Sequence, residues 1–375
     1  MKPKMIYLSN VSWNWIKQRP QFLAEQLSNY FDVDVYCRID YKRENYVNEN
    51  ENNIVIHKLF RLPFERNALI AYLNNILAKL QLKKVLNKYK YIWIADPKVY
   101  RYISEYLSKD QILIYDCMDD QLEFPQIKKS KHMSLDICES EKKLIDDCDI
   151  VFFSSKYLKN TVLKRYAIDD NKGVVLNNGI NNFGVESAYY DFLDKNHKEE
   201  NLSGNDGEIK RIVYFGTISE WFDWEIIEET LNKYKNIQIH LYGPCEVEVP
   251  SYANLIYHGV VSHDLCIKEA KKADAFIMPF IVTDLIKSVN PVKLYEYISL
   301  MKPTIAVQYD ESNQFSDYVY LYRNKEEYIK YINDFMQDKL NLKKGVRDTI
   351  RFINNNTWKQ RGKNIINLMK ENNIY

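Results

Sequence analysis

At 375 residues the chain is about twice the length of a typical domain, and 46% hydrophobic content supplies two cores, which excludes a disordered chain and predicts two globular domains. A formal net charge of +1 gives no electrostatic reason to expect nucleic acid. Six cysteines (Cys37, Cys117, Cys138, Cys148, Cys245 and Cys266) lie scattered without a C-x-x-C pair, which argues against zinc and against a disulfide scaffold. The opening MKPKMIYLSN passes at once into a strand-like run and is too short and polar for a signal peptide. No stretch approaches the roughly 18 uninterrupted apolar residues of a membrane span. The expected location is the cytoplasm, with any association at the inner face of the membrane peripheral.

Along the first half, short apolar runs alternate with helical patterns: Met5 to Ser9, Val33 to Cys37, Ile54 to Lys58, Tyr91 to Ala95, Ile112 to Tyr115, Ile150 to Ser154 and Gly173 to Leu176. Such alternation predicts a parallel sheet with helices on both faces. Ligands of these sheets sit beyond the carboxyl ends of the strands, so the residues after each run carry the most weight. After the first run comes Asn10-Val11-Ser12-Trp13-Asn14-Trp15, then a helical QRPQFLAEQLSNY that includes Arg19. Trp13 and Trp15 either anchor this loop by packing or face a ligand. A long helical pattern from Ala68 to Tyr91 sets Lys79, Lys83, Lys84, Lys88 and Lys90 beside Leu69, Leu73, Ile76, Leu77, Leu80 and Leu86. Its lysines form either a solvated face or a face that rests on an anionic leaflet.

The fifth run ends in Tyr115-Asp116-Cys117-Met118-Asp119-Asp120, which brings three carboxylates to the end of a strand. Asp119 and Asp120 can orient or deprotonate a hydroxyl there, or can cap the next helix. A helix over Leu135 to Cys148 follows, then IVFFSS with Ser154 and Ser155, a short helix from Lys156 to Tyr166, and VVLNNGI, where Gly179 permits a positive φ as the chain leaves the sheet. The first domain spans residues 1–183. From Asn181 to Lys210 the text is polar and irregular, and the domain boundary is placed there.

A second domain, residues 205–356, restarts the pattern with RIVYFGTISEWFDWEIIEETL: a strand, Gly216, Thr217, a turn, and a helix opening near Asp223, which is either its cap or a ligand. IQIHLYGP ends in Gly243, NLIYHGVVS carries His258, Gly259 and Val260, and a helix and strand deliver Pro279 and Phe280. Thr283 to Val307, TDLIKSVNPVKLYEYISLMKPTIAV, then reads as loop, helix, turn and strand. Pro291 fits a first helical position, so the helix begins at Asn290 or Pro291 with Asn290 as its cap. Its free amides favour an anion, and Lys293 adds a positive charge in the first turn. Glu296, about one turn on, can accept both hydroxyls of a ribose; otherwise Lys293 and Glu296 form only a surface pair. The last helix carries Thr357-Trp358 and Arg361. A dehydrogenase is disfavoured, because no G-x-G-x-x-G follows the first strand.

In order, F-G-T-I-x-x-W-F-D, Y-H-G, N-P-x-K-x-Y-E-Y and T-W-x-x-R resemble the two-Rossmann-domain (GT-B) glycosyltransferases, above all the bacterial family 4 type that builds teichuronic acids and other surface polysaccharides. The resemblance implies an α/β fold of two Rossmann-like parallel-sheet domains facing across a cleft. It also implies that the helix at 357–375 crosses back to the first domain. A nucleotide-sugar donor, of UDP or GDP type, would be bound by Gly216, Thr217, Gly243, His258, Gly259, Val260, Ser288, Val289, Asn290, Pro291, Lys293 and Glu296. Trp13, Asn14, Arg19 and Ser154 would face a glycan or lipid-linked acceptor, and Asp119, Asp120 and Lys293 would serve catalysis. Relatives place a glutamate where this chain has Ser288, and they place an arginine and a lysine in or after the turn at Gly216. Neither cation occurs between Gly216 and Ile226. Lys293 and helix amides are left to neutralise the phosphates. The implied reaction is a hexosyl transfer, retaining the donor's configuration, with no cofactor and no metal; Asp146-Asp147 sits in a helix end. A sugar-nucleotide 2-epimerase of the same architecture and a catalytically degenerate binding subunit are the alternatives.

Overall fold

The computed structural model describes residues 2–9, 13, 17–39, 54–64, 67–181 and 209–375. Asn14 and Trp15 lie outside the described residues, as does most of the polar stretch between Asn181 and Lys210. The chain divides into two compact units, one of Met1–Asn178 with Trp358–Tyr375 and one of Gly179–Thr357.

In the first unit the strands are β1 (Lys4–Ser9), β2 (Asp32–Arg38), β3 (Val55–Leu59), β4 (Tyr91–Ile94), β5 (Ile112–Cys117), β6 (Ile150–Phe153) and β7 (Gly173–Val175). They pair in parallel in the order β3-β2-β1-β4-β5-β6-β7, within a residue or two of each apolar run read from the sequence. Period-two alternation divides each strand between two cores. Met5, Tyr7 and Trp93 point to one side and Ile6, Leu8, Ile92 and Ile94 to the other. Tyr7 stacks on Trp93 at 5.7 Å and Trp93 on Phe152 at 5.6 Å, an aromatic row across the sheet. Helix α1 (Arg19–Leu27) covers that face together with the terminal helix Trp358–Glu371, and Phe22 stacks on Trp358 at 5.0 Å. The helical pattern from Ala68 ends earlier than its sequence suggests: α2 covers Ala68–Lys83, and β4 has already begun at Tyr91.

The second unit carries β8 (Lys210–Phe215), β9 (Ile237–Tyr242), β10 (Leu255–Tyr257), β11 (Ala275–Met278), β12 (Thr304–Val307) and β13 (Tyr320–Tyr322), all parallel, in the order β10-β9-β8-β11-β12-β13. Strand order reverses between β8 and β11, the kind of switch point where open α/β sheets bind ligands. Both units are therefore Rossmann-like parallel-sheet domains.

Candidate active site

In the second unit, three strands side by side end in glycines of positive φ: Gly216 after β8 (φ 153°), Gly243 after β9 (φ 130°) and Gly259 after β10 (φ 72°). Gly216 N–H donates to Tyr242 O at 2.9 Å and Gly243 N–H to Gly259 O at 2.8 Å, which laces the three turns together. Crowding differs among them. A β-carbon on Gly243 would stand 2.2 Å from Gly216 O, whereas one on Gly259 would meet nothing within 4 Å. Tyr214 donates to Thr217 O at 2.7 Å and Tyr257 to Gly243 O at 2.9 Å, so tyrosine hydroxyls hold the first two turns.

The helix Val292–Ser299 brings Lys293 to the first of these turns. Its N-cap is Pro291 and its first helical residue Val292; Asn290, the expected cap, lies buried one residue earlier. The segment before it is not all loop, since Asp284–Ser288 forms a short helix capped by Thr283. Ser288 is fully buried and donates to Leu285 O at 2.7 Å, so its side chain is tied to its own helix. Tyr309 donates to Val289 O at 3.1 Å. Tyr297 fixes the helix: its ring stacks on Phe276 at 4.5 Å and meets Phe215 edge-on at 4.8 Å, and its hydroxyl accepts from Phe215 N–H at 3.2 Å.

With the helix held in this way, Lys293 lies beside the turn after β8. Its Nζ is 5.2 Å from the Phe215 ring centroid, and a β-carbon on Gly216 would stand 3.2 Å from its Cε. Lys293 Nζ is also 3.2 Å from Glu296 Oε2. The pair is not a plain surface bridge, because the glutamate is buried while the lysine is one-third exposed. Lys293, paired with Glu296, thus stands beside the Gly216 turn, which is laced to the turns of Gly243 and Gly259 at the carboxyl ends of β8 to β10. His258 is exposed and lies flat on Tyr242 at 4.2 Å, and its Nε2 is 2.9 Å from His240 Nδ1. Burial pushes both imidazoles down, His240 to about 4, so the pair is neutral at physiological pH. Val260 follows in the same loop, half-buried. Asp223 is the N-cap of Trp224–Lys233, its Oδ1 accepting from Ile226 N–H.

The first unit corrects several acceptor-side expectations. Arg19 is buried: its Nε and Nη2 donate to Asp116, its Nη1 to Leu176 O at 2.8 Å and Asn178 Oδ1 at 3.1 Å. Its guanidinium is committed to structure. Asp116, expected among the carboxylates presented to a ligand, is fully buried against it. Ser154 is buried and donates to Met118 O at 2.6 Å, and Ser155 caps the helix Lys156–Tyr166. Trp13 is buried in the aromatic core, edge-on to Tyr7 at 6.3 Å. Asp120 is buried, paired with Arg165, and accepts from Leu122 N–H at 3.3 Å. Asp119 alone of the three carboxylates is partly exposed. Burial raises its carboxyl to about 6, with Arg19 pulling the other way and Asp116 and Asp120 adding to the rise.

Behind Asp120 lies a network that the sequence reading passed over. Glu141 accepts from Tyr115 at 2.7 Å and Tyr166 at 2.8 Å, and Arg165 stands 3.9 Å away. The available signal was its place on the apolar stripe Ile137, Glu141, Leu144 and Ile145 of the helix Lys131–Asp147. A pocket between the carboxyl ends of β1 to β3 and α2, lined by Ser9, Tyr36, Arg38, Arg61, Asn74 and Asn75, was likewise unforeseen. Among the described residues no cluster of His, Cys, Asp and Glu is arranged to hold a metal.

This pair of domains is the GT-B fold, and comparison with solved structures identifies it as that class. Anabaena HepE in complex with UDP-glucose is similar with a TM-score of 0.72 at 13% identity, over 98% of this chain and 99% of that one. Sucrose-phosphate synthase from Thermosynechococcus elongatus gives 0.69 at 13% identity, over 99% of both chains. A glycosyltransferase from Rickettsia africae gives 0.64 at 13% identity, over 99% and 98%. At these identities the likeness is one of fold. No family model matches the sequence, nor does any curated protein.

Proposed function

We propose that the protein is a glycosyltransferase that moves a sugar from a UDP- or GDP-type nucleotide sugar to a glycan or lipid-linked acceptor in cytoplasmic synthesis of cell-surface polysaccharide, with retention of configuration. One observation carries the proposal: Lys293 and Glu296, three residues apart on one helix, stand against the turn at Gly216. The diphosphate takes the positive end of the helix and the Lys293 ammonium. Glu296, relieved of Lys293, accepts the ribose hydroxyls, and the loop of His258, Gly259 and Val260 meets the base. HepE, of like fold, was solved with UDP-glucose, which favours a uridine donor here.

In the transfer, the bond from the anomeric carbon to the diphosphate oxygen breaks and one to the acceptor oxygen forms on the same face. The acceptor's proton passes to the departing diphosphate, so the chain supplies position and stabilisation of the leaving group's charge. Lys293 does the second and Asp119 orients the acceptor hydroxyl. Asp120 acts through Arg165 to hold that loop. Lys293, from the neighbouring helix, takes the role of the cation missing from the Gly216 turn, which favours an enzyme over a merely binding subunit. Neither the geometry nor the neighbours named above favours an epimerase. Titration calorimetry against UDP, GDP and CDP tests the proposal: UDP or GDP should bind with micromolar affinity, and failure of both would overturn it.

A further inference from the structure

Helix α2 wears its apolar side chains on the outside. Leu69, Tyr72, Leu73, Ile76 and Leu80 recur at helical spacing along one stripe, and all are exposed, Leu69 by 66%, Tyr72 by 62% and Leu80 by 52%. The opposite side holds the helix to the body largely through polar groups. Asn74 exchanges two hydrogen bonds with the backbone of Leu62 (2.7 and 3.1 Å) and Gln81 two with that of Phe60 (both 2.9 Å), with Leu82 buried beneath. These amides strap the segment from Phe60 to Phe64 alongside the helix, where Phe60 is exposed by 52% and Phe64 by 80%. Phe64 sits at φ 67°, a conformation costly for an aromatic residue, which here turns its ring outward. An exposed stripe of a tyrosine and four aliphatic side chains calls for a partner.

The charge around the stripe selects one. From Asn67 to Tyr91 the chain has five lysines and no Asp or Glu. Lys79, Lys83 and Lys84 flank the stripe at its C-terminal half, and Lys88 and Lys90 are exposed just beyond. Lys79 is paired with Glu105 at 3.6 Å, and Lys83 lies over the Tyr106 ring at 4.8 Å. We propose that this face docks on an anionic lipid bilayer, with α2 lying in the plane of the interface over about 24 Å, its apolar stripe entering the acyl boundary and its lysines meeting the headgroups. A second copy of the chain fits less well, because the same face of that copy has no Asp or Glu from Asn67 to Tyr91 to meet the lysines. No helix among the described residues is long and apolar enough to cross a membrane, so the attachment is to one leaflet. This inference goes beyond glycosyl transfer and does not depend on it.

The experiment is co-sedimentation of the full chain with vesicles of phosphatidylcholine alone and with added phosphatidylglycerol, for the wild type, the triple variant Leu69→Gln/Leu73→Gln/Ile76→Gln, and the pair Lys83→Glu/Lys84→Glu. All five positions are exposed, and circular dichroism melts confirm that the variants fold. The wild type should partition onto the anionic vesicles and far less onto the neutral ones, and each variant should lose about tenfold or more of that partitioning. Wild type that stays in solution with both vesicles would overturn the proposal, as would variants that bind like wild type. So would a lipid-free dimer of the wild type that the triple variant converts to monomer, since a second copy would then own the face.

Discussion

Arg19 and Asp116, 97 residues apart, meet in the first unit with Nε 3.0 and 3.1 Å from the two carboxylate oxygens and Nη2 2.7 Å from one of them. Both are buried. The same guanidinium reaches Leu176 and Asn178 after β7, and Arg361 of the terminal helix donates to Asn178 O at 3.0 Å, so two arginines tie α1, β5 and the end of the sheet to the closing helix.

Arg19→Ala leaves the Asp116 carboxylate buried without its countercharge and should cost about 3 to 5 kcal/mol of stability. Urea unfolding followed by circular dichroism measures it. Arg19→Lys should recover little, because an ammonium cannot match the fork that serves three acceptors. A destabilisation under about 1 kcal/mol would return Arg19 to the acceptor-binding role inferred from sequence.

That pairing shows where the sequence stops being legible. Period-two runs such as Val33 to Cys37 announce their strands because burial on two faces imposes them locally, and Lys156 to Tyr166 matches its helix to the residue. The helix bearing Lys293 and Glu296 was legible for the same reason, apart from its cap, where the chain uses Pro291 in place of Asn290. Arg19 and Asp116 look like ligand-facing residues in the text, since nothing local says that they neutralise each other. The apolar positions of α2 posed the reverse problem: periodicity reveals a stripe but not whether the core or the outside receives it.

Asp119 predicts a pH signature. Its folded-state carboxyl, raised to about 6, takes up a proton that the unfolded chain, with an aspartate near 4, does not, so stability should rise as pH falls from about 6 to 4 on this account. His240, pushed down to about 4, contributes the opposite slope, its stability being lost as pH falls from about 6.5. Asp119→Asn should remove the first slope and raise stability above pH 6 by on the order of 2 kcal/mol. Urea titrations of wild type and variant at several pH values measure the difference; parallel curves would mean that Asp119 titrates normally.

The three glycine turns should differ in tolerance. Gly259→Ala pays only for a left-handed backbone and should cost about 1 to 2 kcal/mol, because its β-carbon meets open space. Gly243→Ala drives a β-carbon into Gly216 O and should cost more than that, taking the Gly216 turn and nucleotide binding with it. Thermal melts and UDP titration of both variants give the ranking, and equal effects would show that the close approach of the two turns is relaxed in solution.

Retention is tested on the product. With an α-configured donor, proton NMR of the new linkage should show an α anomer. Asp119→Asn should then raise the acceptor's KM more than it lowers kcat, because the departing diphosphate takes the proton. A β linkage, with kcat abolished in Asp119→Asn, would make that aspartate the base of an inverting reaction.

The most direct measurement is titration calorimetry of UDP into wild type, Lys293→Ala and Glu296→Ala. Wild type should bind. Loss of the ammonium should weaken binding by about 1.5 to 3 kcal/mol, the range for a hydrogen bond to a charged group, and loss of the Glu296 carboxylate, which accepts the ribose hydroxyls, should weaken it to a similar degree. Wild-type affinity in both variants would contradict a donor site at the start of the helix Val292–Ser299.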